Sequence, residues 1–407
     1  MRTSATVWLL CGCALLWLAA CHDDGASRRS VPIADAAPEA TPLPPLSCTD
    51  AVIDEDPRGA GGVPDLCGAG AASCFAPVAT LAGDSYLLIS ADWAPADDYV
   101  VAGAVDEVRL LRVDPVAGTL TVVATDASQL GRITMAFSPD GNHALGVGDV
   151  DTRLYRITRE PPALTVLATI VTHQGDTIGV AWAPDGRSAV TTGKDSTARL
   201  LAVDTGAGTL AEIARFTAPG KRLFTVSYAP DGRHVLVGGE DGEATLLAVD
   251  PVAKTLVPVD VLAHAAQVCP VAFSPRGDAL LGTWVPCHSA VELVDVESDA
   301  DGPGSTLASP VTVAHHESGL RALEWSPDGS YAISGGHDDT VRFLGRHAGG
   351  LRVLDVLPQT RLGVHALSWS PDGQFFLHVA SQEDRLELVD ARACVACFRR
   401  LDPDEIH

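Results

Sequence analysis

Short runs in which apolar side chains take every second position recur along the chain, separated by tight polar turns. Such alternation places one set of side chains on one face of a strand. One unit can be read in full: an inner strand ending TVSY (225 to 228), the turn APDG (229 to 232), a second strand HVLVGG (234 to 239), a third ATLLAVD (244 to 250) and an outer strand TLVPVDVLA (255 to 263). The turn recurs as APAD at 94 to 97, SPDG at 138 to 141, APDG at 183 to 186, APDG at 229 to 232, SPRG at 274 to 277, SPDG at 326 to 329 and SPDG at 370 to 373. The prolines are 44, 45, 46, 45, 52 and 44 residues apart. Four short strands in a period near 45 are the signature of a propeller blade, so the expected fold is all-β, a seven-bladed β-propeller of four-stranded antiparallel blades.

The copies share a packing grammar. Two residues before each turn proline stands an aromatic: Trp93, Phe137, Trp182, Tyr228, Phe273, Trp325 and Trp369. Two positions earlier the residue is apolar, from Ala91 and Met135 to Leu323 and Leu367, and between the two sits a small residue in Ala136, Ala181, Ser227, Ala272 and Ser368. Large against small from blade to blade lets tilted sheets stack about an axis. Asp92 and Glu324 break this rule, and a carboxylate on an inner strand is a candidate for a desolvated, shifted acid near the channel. The bland alternative is that each pairs with a neighbouring arginine or backbone amide.

The segment PVATLAG (77 to 83) reads as an orphan outer strand, and the last copy ends after its third strand at Asp390. An N-terminal outer strand is therefore expected to complete blade seven and close the ring, leaving no free sheet edge. The turn acids Asp106, Asp151, Asp195, Asp241, Asp338 and Asp384 recur blade after blade, which marks them as structural, since turns of this kind need side-chain-to-backbone bonding. The insertion at 295 to 310 is acidic and turn-forming, and is expected to be a surface loop after a third strand.

The stretches VTHQGDTIGVAWAPDGRSAVTTGKDSTARLLAVD and VAHHESGLRALEWSPDGSYAISGGHDDTVRFLG resemble WD-repeat propeller blades. The resemblance spans about residues 76 to 392. It implies that His173, His264 and His315 join turn acids such as Asp195 and Asp338 in hydrogen-bond networks within the blades. The Trp-Asp pair of that family is replaced by Val113-Asp114, Val203-Asp204 and Val249-Asp250. The segment VDPVAGTL (113 to 120) is also similar to lactonase-like propellers.

The N-terminus, MRTSATVWLLCGCALLWLAAC, carries one positive charge and an apolar run too short to span a bilayer as a helix, the pattern of an export signal. Its end, Leu18-Ala19-Ala20-Cys21, resembles a bacterial lipoprotein signal. That resemblance implies cleavage of residues 1–20, lipid attachment at Cys21 and a membrane-anchored protein, periplasmic or at the cell surface. His22 in place of an aspartate tilts the expectation towards the outer membrane. Residues 21–47 then form a lipid anchor and disordered tether, rich in Ala, Pro and small polar residues. A cysteine-containing segment covers 48–75, the propeller 76–398 and an acidic tail 399–407.

The net charge of -24 repels phosphate backbones, so nucleic acid is not an expected partner. Of ten cysteines, seven lie beyond the signal and the lipid site. In an oxidising compartment a disulfide between Cys269 and Cys287 is expected, because a hairpin turning at Pro275 to Asp278 brings them together. Cys48, Cys67 and Cys74 precede the closing strand while Cys394 and Cys397 follow the last blade, so one or two bonds between the two groups would lock the ring.

Propellers bind at the ends of the channel. The polar residues that differ from blade to blade on the connections entering the inner strands are Arg132, Asp176, Lys221, Arg222, Gln267, His316, Glu317 and Arg361. They form the expected partner-binding face of a protein-binding platform in the cell envelope, with no metal and no cofactor. The alternatives are a lactonase-like hydrolase or other small-molecule-binding propeller with its site at the channel, near Asp92 and Glu324, and a periplasmic sugar or metabolite sensor, about which the sequence is silent. A deep polar channel with convergent Arg, His and Glu would favour the enzyme, and a broad face with exposed aromatics the platform.

Overall fold

A computed structural model describes residues 74–401 except 83–86, 150, 219, 285–288, 298–304, 348–349, 359–362 and 381–384. Seven four-stranded antiparallel sheets stand side by side, one for each sequence copy. Blade three shows the common build: inner strand Thr177–Trp182, then Ser188–Gly193, Thr197–Asp204 and the outer strand Thr209–Thr217. Each Pro-Asp-Gly turn between the first two strands needs a left-handed residue at its end. Gly141, Gly186, Gly232, Gly329 and Gly373 supply it with φ of 65 to 68°.

The blades are welded by apolar side chains rather than by shared sheets. Seven buried clusters occur among the described residues, each drawn from two neighbouring blades. The second and third strands are buried on both faces, as with Ser188–Gly193 and His234–Gly239, because each sheet packs against a neighbour on either side. The outer strands alternate exposed and half-buried residues. The junction of blades six and seven is the most aromatic, with Phe75 edge-on to Phe343 and Phe376 at 5.2 and 5.5 Å between ring centres.

Ring closure follows the sequence reading. Blade seven consists of Val364–Trp369, Phe375–Ala380, Arg385–Asp390 and, from the other end of the chain, Ala76–Ala82. The last two run antiparallel, with Ala76 opposite Asp390 and Ala82 opposite Arg385. A Cys74–Cys394 disulfide, spanning 320 residues of sequence, ties the same two regions, and both sulfurs pack into the core between blades six and seven. Cys48 and Cys67 lie outside the described residues, and so does Cys287, so the expected Cys269 pairing is not addressed by them.

Two local features differ from the sequence reading. After Asp390 comes a helix, Arg392–Leu401, begun by the Asp390 carboxylate accepting the Arg392 amide at 2.9 Å, and it runs into the stretch read as an acidic tail. The insertion in blade five carries a short hairpin, with Val296–Glu297 pairing Thr306–Leu307, and the Leu307 amide donates to Asp260 Oδ2 of blade four at 2.7 Å.

Candidate functional site

The ring has two faces. The lower face carries the Pro-Asp-Gly turns; the upper face carries the connections from each outer strand to the next inner strand and the turns between second and third strands. The inner strands line a channel between them.

The polar residues at the small position of the grammar brace blade to blade. The Phe137 amide donates to Asp92 Oδ2 at 2.6 Å, Phe273 to Ser227 Oγ at 2.9 Å, Trp369 to Glu324 Oε1 at 3.2 Å and Trp93 to Ser368 Oγ at 3.0 Å. Each bond runs from the backbone of an aromatic to the side chain of the preceding blade. Where the small residue is Ala136 or Ala272, the next blade's indole takes over: Trp182 Nε1 donates to Ala136 O and Trp325 Nε1 to Ala272 O, both at 3.1 Å. Asp92 and Glu324 thus pair with backbone amides, the bland reading of the two.

They also line a cavity of about 600 Å3 in the channel, walled by Ala91, Met135, Val180, Val271, Leu323 and Leu367 and open towards the Pro-Asp-Gly turns. Burial pushes the Asp92 carboxyl up to about 6, against the pull of the Phe137 amide. Burial, with the Asp92 charge added, raises Glu324 well above the usual range. Glu324 Oε2 is buried and makes no hydrogen bond. A desolvated acid with an unanswered oxygen favours its protonated form.

Within blade three, His173 is buried, with Nδ1 2.8 Å from Asp195 Oδ1 and Nε2 2.9 Å from Thr191 Oγ1; Thr197 Oγ1 donates to the same Asp195 oxygen at 2.6 Å. Although burial opposes ionisation, the hydrogen bonds from Thr197 and His173 hold the Asp195 carboxyl well below its usual range. Blade six repeats the arrangement with Asp338, Ser334 and Thr340, but its histidine is His316, with Nδ1 3.0 Å from Asp338 and Nε2 2.8 Å from Ser334 Oγ. This reverses the sequence assignment. His316, expected on the partner-binding face, is fully buried scaffold, and His315, expected in the network, is exposed. Alternation along Val311–His316 turns only one of two adjacent histidines inward.

Other blades solve the same problem with other residues. In blade two Gln129 stands in for histidine, donating to Asp151 Oδ1 at 3.0 Å. In blade five His264 Nε2 lies 2.8 Å from Glu292, which stands at the register position of Arg199 and Arg342. Blade seven pairs His378 with Glu387 at 2.9 Å. Asp106 accepts the Gly131 amide at 2.5 Å and Asp241 the Glu243 amide at 3.1 Å; Asp384 lies outside the described residues.

The remaining upper-face candidates are mostly tied to acids or bases of their own blade. Arg222 holds Glu240 through two bonds of 2.9 and 3.1 Å, Lys221 Nζ is 4.0 Å from Asp241, and Asp176 pairs with Lys194. Exposed pairs of this kind contribute little to stability and leave the charges on display. The Glu317 amide donates to Asp338, and its side chain is exposed. Gln267 begins its inner strand with Oε1 buried and unanswered. Arg132 follows Gly131, its amide donating to Asp149 at 3.2 Å. Arg361 lies outside the described residues. Two apolar side chains stand free on the upper edge of blade two, Leu130 at 69 % and Val171 at 75 % exposure. No aromatic is among the large apolar side chains exposed in the described residues.

Sequence reasoning missed one cluster. Arg321 Nε donates to His337 Nε2 at 2.7 Å, and the His337 and His365 rings stack with centres 6.2 Å apart and planes 12° from parallel. Burial, with Arg321 nearby, depresses His337 to about 4. Burial, then Arg321, His337 and Arg132, depress His365 to about 3. The signal was there to find: four positions before the aromatic the other blades carry Ile89, Ile133, Ile178, Phe224 and Cys269, where blades six and seven carry Arg321 and His365.

Near the closing disulfide, Asp355 accepts the Cys74 amide at 3.0 Å and lies 3.3 Å from its sulfur. With both sulfurs bonded to each other, this grouping offers no thiolate to a metal.

Compared with known families, residues 164–200 and 308–343 match the WD domain, G-beta repeat model. No curated protein matches the sequence significantly. The two matched segments lead into blades three and six, the two that carry the complete His, Asp and Ser or Thr network. The chain is therefore a seven-bladed β-propeller, two segments of which match the WD40 repeat, an architecture consistent with a protein-interaction scaffold.

Proposed function

We propose that the chain is a lipid-anchored protein-binding platform of the cell envelope, held by Cys21 and presenting its upper face to a protein partner. The observation that carries the reading is the pairing on that face of exposed Leu130 and Val171 with charged, blade-specific side chains such as Lys221, Arg222 and Glu317. Apolar anchors within a polar rim are the usual anatomy of a docking surface. The closed, braced ring supports this reading, because a rigid face loses little entropy on binding. The Leu18-Ala19-Ala20-Cys21 motif supports the anchor. The test is crosslinking of the tagged full chain in gently solubilised membranes, beside a Leu130→Asp, Val171→Asp double variant. A partner captured in near-equal amount by the parent and lost with the variant supports the platform; equal capture by both removes it from this face.

The alternative, a small-molecule or lactonase-like site in the channel, is favoured by one observation, the cavity of about 600 Å3 bearing Asp92 and Glu324. Both acids already serve as acceptors for inter-blade amides, and this commitment makes them poor candidates for moving protons.

A further inference from the structure

At the upper mouth of the channel Arg321 forms no ion pair among the described residues. Its one hydrogen bond among them goes to a neutral ring, and its Nη2 is buried with no acceptor there. A guanidinium Nε has a hydrogen and no lone pair, so His337 Nε2 is the acceptor and that imidazole carries its proton on Nδ1. A charged donor left unanswered in a partly desolvated site is costly, and proteins keep such groups where a ligand completes them. Among the described residues, other charged groups act on the two rings. Asp338 and Asp339 act on His337, but Asp338 is committed to His316 and Thr340, and Asp339 accepts the Gly363 amide. Arg132, two blades away around the ring, is close enough to act on His365 from the far side.

We propose that this mouth is a binding site for a small oxyanion, a carboxylate or a phosphate group, gripped by the Arg321 guanidinium with His337 and His365 beside it. The planar fork of the half-buried Arg321 suits either oxyanion through paired N–H bonds. The two imidazoles stack in parallel as a wall next to it. The chain as a whole is strongly acidic, with a net charge of -24, so an anion is held only where cations are concentrated. The site is independent of the platform reading: it is built on inner strands of the channel and not on Leu130 or Val171.

The test is titration of the full chain with sodium acetate and, separately, inorganic phosphate at constant ionic strength, following the histidine ring signals by NMR. The expected result is that His337 and His365 shift together and saturate with at least one anion, while buried His173 and His316 do not move; the anion that binds more tightly identifies the source chemistry. Arg321→Gln should weaken that binding about tenfold or more, the loss of a charge-assisted pair. No saturable shift with either anion overturns the proposal, and so does unchanged affinity in a folded Arg321→Gln chain. Should that variant not fold, Arg321→Lys decides: it keeps the charge, loses the fork and should bind several-fold more weakly, and equal binding sinks the idea.

Discussion

The Phe137 amide and the Asp92 carboxylate join blades one and two at 2.6 Å, in a place where most blades set an alanine or serine. The bond explains why an acid is tolerated on the channel wall and also what it costs. Its raised pKa means that the folded chain holds a proton which the unfolded chain releases at lower pH.

Asp92 therefore favours folding most below pH 4, and this contribution is lost as pH rises through about 6. Asp92→Asn keeps an acceptor for Phe137 and removes the titration. Its stability relative to the parent should rise between pH 4 and 7, by at most about 3 kcal/mol. Denaturant midpoints at the two pH values check this; a constant difference would refute it.

His316→Ala should destabilise the chain by about 2 kcal/mol or more, since it orphans Asp338 and Ser334 in the core. His315→Ala should change stability by less than about 0.5 kcal/mol, as exposed positions do. Thermal melting of the pair distinguishes them; equal losses would refute the burial-based distinction, and a larger loss at His315 would restore the assignment made from sequence.

Replacing Cys74 and Cys394 together by serine should lower stability by about 2 to 5 kcal/mol under oxidising conditions. Under reducing conditions parent and variant should converge. A chain lacking residues up to 83 loses the closing strand as well, and its melting temperature should fall further; an unchanged value would contradict closure by Ala76–Ala82.

Trp182→Phe keeps the ring and removes the bond to Ala136 O, so about 1 kcal/mol should be lost. At Trp369, whose indole nitrogen is buried without an acceptor, the same change should cost less or stabilise.

The seven blades and their closure could be read from sequence because strand alternation and the Pro-Asp-Gly turn repeat, and repetition averages out local exceptions. Asp92 and Glu324 were legible as exceptions, though only the structure places the Phe137 and Trp369 amides against them. The choice between His315 and His316 was not legible, since it depends on strand register, and one residue of slip exchanges inside for outside. Arg321, His337 and His365 come from two blades and two kinds of segment, and only the ring brings them together. The helix from Arg392 follows the last repeat, where the pattern has nothing left to say.

The pairing of Ala76–Ala82 with Arg385–Asp390 also has a consequence in time. During synthesis Ala76–Ala82 must wait for this partner until six blades have followed it and Arg385–Asp390 leaves the ribosome. Contacts between distant parts of a chain form slowly. The closing strand therefore sets the order of events: the other blades can pack as they are made, and the hydrogen bonds of Ala76–Ala82 to Arg385–Asp390 are the last of the ring to form.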